Sequence, residues 1–447
     1  MSSGGVKALL RAGSALGLLF LISTQVQAGG FALREQSAYG QGVSFAGVAA
    51  GGALSSMYWN PAVMTQYYGK AMESDLSIIM PSASHSYTSS TLATGFGGFI
   101  PAYGQGVGNS GNSEVVPSSY ASWQLSDRFW LGLSVNAPFG LSVAFPTAWA
   151  GAGYGQDSSV KSYNFSPSIA YKISDMLSVA VGFQAQYMTV SYKTLTVPLT
   201  QQFANLGGTG WAYGFTAGAT ITPFPGTVIG VGYRSALNQK INGTLSTSSV
   251  LPTTSTGAVN LTLNLPDMLT VGLRQRITDR FTMMAGFEWS RWSRIGTAAL
   301  YTDSGAATLG GTAVTLPFQY SDGYFYSLGG EYIINPALTA RAGIAFEKSP
   351  ITDGVRTPRL PDNDRMWYSA GLGYKPAQFP GVTVDLGYSF IDVKDTPINI
   401  GVGTGNPWTN GTGTYVGSVS SHIHIVSVGF RYQWDAPEVR KTALITK

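Results

Sequence analysis

Along most of the chain, apolar and polar side chains alternate with a period of two. Residues 177–187 put Leu177, Val179, Val181, Phe183, Ala185 and Tyr187 on one face, with Ser178, Gly182, Gln184 and Gln186 on the other. Residues 281–290 set Phe281, Met283, Phe287 and Trp289 against Thr282, Gly286, Glu288 and Ser290. Residues 382–390 and 426–434 repeat the pattern with Val382, Leu386 and Phe390, then Val426, Phe430 and Trp434. Period two means extended strands with one apolar face. Such runs are longer than the roughly five or six residues of a sandwich strand and suit the ~9–11 residues that cross a bilayer. Trp130, Tyr171, Tyr187, Trp211, Tyr233, Trp289, Tyr332, Trp367, Tyr388 and Trp434 stand near the ends of runs, as in the aromatic girdles of membrane barrels.

The connections alternate in length. Short turns fall at Ser126-Asp127, Ser174-Asp175, Pro223–Gly226, Thr278-Asp279, Asn335-Pro336 and Pro376–Gly381, each built from turn-forming residues. Between them lie longer stretches at 87–113, 141–159, 195–208, 236–256, 296–317, 349–361 and 394–413. Six turns and seven loops imply fourteen strands with both chain ends on the short-turn side. That is the layout of an outer-membrane barrel, with periplasmic turns and external loops. The expected fold is all-β, a 14-stranded antiparallel transmembrane barrel.

Composition narrows the alternatives. Charged residues make up 11% of the 447, against roughly 25% in a soluble domain, and aromatic residues 12%. A large soluble enzyme needs more surface charge, and a disordered chain fewer aromatics. The net charge of +4 comes without the dense basic patch of a nucleic-acid binder. With no cysteine, disulfides, thiolate metal sites and a Cys nucleophile are excluded. His85, His422 and His424 are the only histidines, and His422-x-His424 lacks a visible third ligand. No phosphate loop or dinucleotide fingerprint is present, so no cofactor or metal is expected, nor an enzyme.

Residues 1–28 read as a secretory signal: Lys7 and Arg11, an apolar run at 12–22, and Val26-Gln27-Ala28. The run is shorter than the ~20 residues of a membrane helix, and no longer apolar stretch follows. An exported chain without apolar helices crosses a membrane only as a closed barrel.

Residues 29–70 lack strand alternation and are rich in Gly and Ala, with Phe31, Leu33, Phe45, Leu54, Met57 and Trp59 as apolar anchors. A wide barrel leaves an open channel unless something plugs it, so this segment is expected to fold back as a hatch. The barrel then covers 71–434, and 435–447 form a tail.

Here GGFALREQSAYGQG and Asn60-Pro61-Ala62 resemble the hatch of the FadL-type outer-membrane transporters of hydrophobic compounds (OMPP1/FadL/TodX). LPDMLTVG at 265–272, WSRWSRIG at 289–296, AGIAFEKSP at 342–350 and LPDNDRMWYSAGLGY at 360–374 resemble that family's strands in order. The resemblance implies a monomer, a hatch, and a gating role for Asn60, Pro61 and Ala62 near a lateral passage.

The third strand runs Phe129, Leu131, Leu133, Val135 and then meets Asn136-Ala137-Pro138-Phe139-Gly140. Proline cannot donate to a ladder, so Pro138 ends, bulges or kinks the strand. In FadL-type proteins the similar strand bends inward and leaves a side window. Leu195, Leu199, Phe203 and Leu206 recur at helical spacing in one loop, and Leu141, Phe145 and Trp149 make another apolar loop. Both suit capture of an apolar ligand, with Lys193 as a candidate headgroup partner. Arg274, Arg276, Glu288, Arg341 and Lys375 fall on or near polar strand faces, where ion pairs between hatch and wall are the simpler reading.

The expectation is a passive carrier of long-chain fatty acids in the outer membrane of a Gram-negative bacterium, in contact with its lipid and lipopolysaccharide. It captures cargo in the loops, rearranges the hatch and releases cargo sideways. Aromatic-hydrocarbon uptake, a general diffusion porin and an outer-membrane hydrolase stand as rivals.

Overall fold

The computed structural model describes residues 30–434, apart from 94–98, 102–103, 105, 198–201, 249–254, 310–311 and 410–412. The signal sequence, Leu199 and the tail 435–447 lie outside the described residues.

The wall is a closed antiparallel barrel of fourteen strands. In chain order these are β1 (Lys70–Ala93), β2 (Glu114–Gln124), β3 (Phe129–Asn136, continued by Gly140–Val143), β4 (Ser158–Lys172), β5 (Leu177–Val197), β6 (Gln202–Phe224) and β7 (Thr227–Arg234, continued by Leu237–Ser248). Then follow β8 (Ser255–Leu265, continued by Met268–Arg276), β9 (Phe281–Ser290, continued by Thr297–Thr302), β10 (Gly323–Asn335), β11 (Leu338–Lys348), β12 (Arg365–Tyr374), β13 (Val382–Ile400) and β14 (Gly413–Trp434). β14 pairs with β1 from Lys70↔Trp434 to Leu92↔Gly413, which closes the ring.

The period-two faces lie where the alternation puts them. Phe183, Val181, Leu131, Leu328, Leu386 and Val428 are exposed on the outer wall, as lipid contact requires. Trp130 and Trp367 depart from the girdle pattern. Both are fully buried and point inward, with Trp130 Nε1 donating to Tyr67 O (2.8 Å) and Trp367 Nε1 to Glu347 Oε2 (3.0 Å). A lumen-facing indole needs a polar partner, and the inner segment and wall supply it.

All six short turns are present between strands. The long connections are shorter than the sequence suggests, because the ladders run on above the lipid band: β1 to Ala93, β5 to Val197, β13 to Ile400. Beyond the bilayer the outward positions turn polar, as at Ser82, Ser84 and Ser86 on β1, so the apolar alternation fades although pairing continues. The expected helical stripe from Leu195 to Leu206 is a hairpin instead, with Leu195 opposite Phe203 and Tyr192 opposite Leu206. Positions four apart share one face of a strand as well as of a helix, and only the neighbouring ladder decides between them.

Residues 30–69 are folded into the lumen as short turns and helices, Ala38–Gln41, Val48–Ala50, Leu54–Tyr58 and Pro61–Gln66, nearly all buried. Inward glycines on the wall make room. A side chain at Gly218 would collide with the Asn60 carboxamide, and one at Gly232 with the Trp59 carbonyl.

Candidate functional site

Three features of the interior bear on passage: a cemented lumen segment, an interrupted seam between β2 and β3, and an apolar cavity above them.

The lumen segment is fixed by buried charge. Arg34 reaches Glu288 (2.9 Å) and Glu347 (3.8 Å), and Arg365 reaches the same Glu347 (3.6 Å). Glu73 accepts from Leu54 N (2.7 Å) and pairs with Arg431 (3.3 Å), while Asp75 accepts from Ala38 N (2.9 Å). Tyr39 OH donates to Glu331 (3.1 Å), which also holds Arg274 (2.6 Å) and Arg341 (3.5 Å). Charges taken out of water persist only when paired or hydrogen-bonded in this way. Arg274, Glu288 and Arg341 thus bind the inner segment to the wall. Glu35 is fully buried, and that burial pushes its carboxyl up to about 7.

Asn60 caps the turn Pro61–Gln66 by accepting from Ala62 N (3.0 Å), with Pro61 at the first helical position. Its Nδ2 donates to Ala49 O (2.7 Å) and to Ala219 O on β6 (2.9 Å). The Asn60 side chain therefore staples the segment to β6, whereas the residue that faces β3 is Gln36.

The β2–β3 ladder extends only from Gln124↔Trp130 to Ser119↔Val135. Beyond it, β2 continues to Glu114 paired with β1 alone, and Gly140–Val143 pairs with β4 alone. A single bridge, Gly111↔Val143, closes the opening above. The inner segment takes the missing strand's place: Leu33 N donates to Pro138 O (2.7 Å), Gly140 N to Phe31 O (2.9 Å), and Gln36 Nε2 to Ala137 O (2.9 Å). Ser118 Oγ and Tyr120 OH on β2 both donate to Gln36 O (2.9 and 2.7 Å), and Asn136 donates to Tyr120 OH (2.7 Å). Pro138 has no N–H to offer β2, and the chain turns inward there to meet residues 31–36. Asn136, Ala137, Pro138, Phe139 and Gly140 thus lie where the β2–β3 ladder is interrupted.

Above this lies a small apolar cavity of about 60 Å³ lined by Phe31, Leu141, Val190, Leu206, Leu263 and Phe318, among others. Phe31 packs on Phe139 (5.9 Å) and Trp292 (4.8 Å), so one end of the cavity meets the kinked strand. Leu141 and Leu206 line it. Phe145 and Trp149 do not; they stack on each other (4.5 Å, 5°) beside His85. Leu195 is buried, and Phe203 sits under Lys193 Nζ (4.7 Å). Lys193 is itself turned to Asp157 (3.7 Å) and half exposed.

The cation at the cavity is Arg359, from the loop between β11 and β12. It is only 6% exposed, lies 3.6 Å over the Tyr192 ring, and donates to Tyr192 OH and to Lys193 O (3.2 Å). Its Nε has no partner, and among the described residues no carboxylate pairs with it. Burial lowers its pKa from the ordinary value, yet a guanidinium remains charged. Sequence reading passed over it because 349–361 looked like a plain connection. The signal was the density of Arg and Pro in RTPRLPDNDR within a chain so poor in charge.

Comparison with known proteins adds the following. The sequence model of the family described as outer membrane protein transport protein (OMPP1/FadL/TodX) matches residues 19–434. The long-chain fatty acid transport protein of Salmonella typhi is 26% identical over 429 residues, covering 88% of this chain and 95% of that one. The crystal structure of a Pseudomonas aeruginosa FadL homologue superposes with a TM-score of 0.80 at 20% identity, covering 91% of this chain and 100% of the other. That of the Ralstonia pickettii toluene transporter TbuX gives 0.63 at 16%, covering 89% and 99%.

Proposed function

The chain belongs to the OMPP1/FadL/TodX family, outer-membrane transporters of hydrophobic compounds, and from that premise we propose that its cargo is a long-chain fatty acid released sideways into the membrane. The observation that carries the cargo assignment is Arg359, an unpaired buried guanidinium at an apolar cavity. Such a charge gains most from a carboxylate, and an acyl tail gains about 0.8 kcal/mol per buried CH₂. A relative of similar length is named for fatty acid transport, which supports the same reading.

Cargo enters between the external loops, with Leu141 and Leu206 on the tail and Arg359 on the head. Leu195 and Phe203 pair beside the entrance, with Lys193 at its rim. Displacement of residues 31–36 then frees Pro138 O, Gly140 N and the Gln36 contacts, and the opening between β2 and β3 leads to the lipid. Asn60, Pro61 and Ala62 anchor the remainder of the segment to β6, so the movement is confined to its leading end.

The test is binding of oleate and methyl oleate to the purified protein. Oleate should bind at least tenfold more tightly. Arg359→Met should bring its affinity down to that of the ester, since a hydrogen bond to a charged group contributes roughly 1.5–3 kcal/mol. Equal affinity for acid and ester in the unmodified protein would remove the fatty-acid assignment. Toluene binding unaffected by Arg359→Met and tighter than oleate would favour an aromatic hydrocarbon instead.

A further inference from the structure

The outer wall of β7–β11 ends its lipid-facing rows on a single line of ladder partners. Tyr233 pairs with Leu269, Leu269 with Trp289, Trp289 with Tyr324, and Tyr324 with Lys348. Trp289 lies eight residues beyond the start of β9 at Phe281. At ~3.3 Å per residue and a tilt near 40°, that is a height of roughly 20 Å above the periplasmic end. A lipid band is about 25 Å tall, so Trp289 lies near its outer edge.

From this row outward the surface is cationic. Lys348 ends the row itself on β11, Arg291 follows Trp289 by two positions, and Lys240 is exposed seven positions past Tyr233 on the continued part of β7. Arg294 extends over β8 to Asn238 on β7 (2.9 Å), and Lys348 Nζ stands 5.8 Å from the Tyr324 ring. None of the four makes an ion pair within the described residues. The acids beside these cations are engaged, and Asp364 accepts from Ser349 N next to Lys348 (3.0 Å). Asp322 accepts from Trp289 Nε1 (3.0 Å) and Ser293 N (3.1 Å). Asp267 is buried and takes Tyr233 OH (3.3 Å). On another sector of the same level, β13 exposes Asp392, Lys394 and Asp395, beside the serine hydroxyls of β1 and β14.

We propose that this face of β7–β11 binds the phosphorylated head of lipid A in the outer leaflet. Four cations without an ion pair among the described residues, ranging from the ring row outward, fit a ligand with acyl chains below and more than one phosphate above. A zwitterionic or singly charged headgroup would leave most of that charge unanswered. The site is on the outside of the wall and does not depend on what crosses the lumen.

The experiment is native mass spectrometry of the whole protein in detergent, titrated with diphosphoryl lipid A, monophosphoryl lipid A, phosphatidylglycerol and inorganic phosphate. Diphosphoryl lipid A should be retained at least tenfold more tightly than phosphatidylglycerol, with the monophosphoryl form between. K240Q/R291Q/R294Q/K348Q should lose that preference while oleate binding stays unchanged, and K394Q on β13 should behave as the unmodified protein. Should the fourfold variant fail to form the barrel, R291Q/R294Q alone is expected to weaken retention about threefold or more. Unchanged retention in the folded variants, phosphatidylglycerol held as tightly as lipid A, or displacement of lipid A by millimolar phosphate would each overturn the assignment.

Discussion

Two seams of the barrel, separated by the β1–β2 ladder, differ. The β14–β1 seam is paired from Lys70↔Trp434 to Leu92↔Gly413, with one irregularity at Tyr87 and Ser89. The β2–β3 seam is paired only from Gln124↔Trp130 to Ser119↔Val135. The first keeps its register even through Pro81, which stands opposite Ile423. The second meets Pro138, and its lost partners are replaced by a segment from inside. A wall in lipid must satisfy every backbone group, so an interrupted seam exists only with something to cover it. Here residues 31–36 make the replacement hydrogen bonds, and in the proposed mechanism their displacement exposes the opening.

Crosslinks test this contrast most severely. The chain has no cysteine of its own, so introduced pairs act alone. P117C/A137C, oxidised across the opening, should reduce oleate uptake by more than tenfold, and a reductant should restore it. S74C/F430C, a paired position of the closed seam, should leave uptake unchanged. Equal loss from both would show that the opening has no special part. A smaller, opposite effect is expected of Gly218→Val, which forces Asn60 off β6. Ion conductance in planar bilayers should rise severalfold as the lumen loses its plug, giving a second route that bypasses the seam. Loss of lateral uptake without any gain in conductance would argue against the plug's docking on β6.

The smallest effect concerns pH. The Glu35 carboxyl lies beside Gln36, and burial raises it to about 7. A raised carboxyl favours the protonated, buried form, so packing of residues 31–36 is strongest at acid pH. It weakens as the pH rises from the ordinary carboxylate range towards about 7, then changes no further. Amide hydrogen exchange at Leu33 and Gly140 should accelerate over that interval, and Glu35→Gln should flatten the profile. A flat profile in the unmodified protein would place the control of this cover elsewhere.

The separation between readable and unreadable features follows the range of the interactions. Val181 and Phe183 announce a lipid face, and Thr278-Asp279 a turn, because each depends on near neighbours. Pro138 announces a break, since the missing N–H is a property of the residue itself. What fills the break was not readable: Leu33 and Gln36 lie about a hundred positions from Ala137 and Pro138. The Leu195–Leu206 stripe misled because a spacing of four is common to helix and strand. Lys193 was singled out for its charge and its apolar loop, but only three-dimensional packing shows that Asp157 engages it while Arg359 goes without a carboxylate.

By itself, then, the sequence determined a fourteen-strand wall, its greasy outer face, its inner segment and the weak place in its third strand. These follow from side-chain period, turn chemistry and proline's missing donor, all local. The tertiary structure alone decided which residues bond to the weak place, that Arg359 meets no carboxylate among the described residues, and which outer sector carries cations without an ion pair there. Those depend on what the closed ring brings together from distant parts of the chain, and no local pattern encodes that distance.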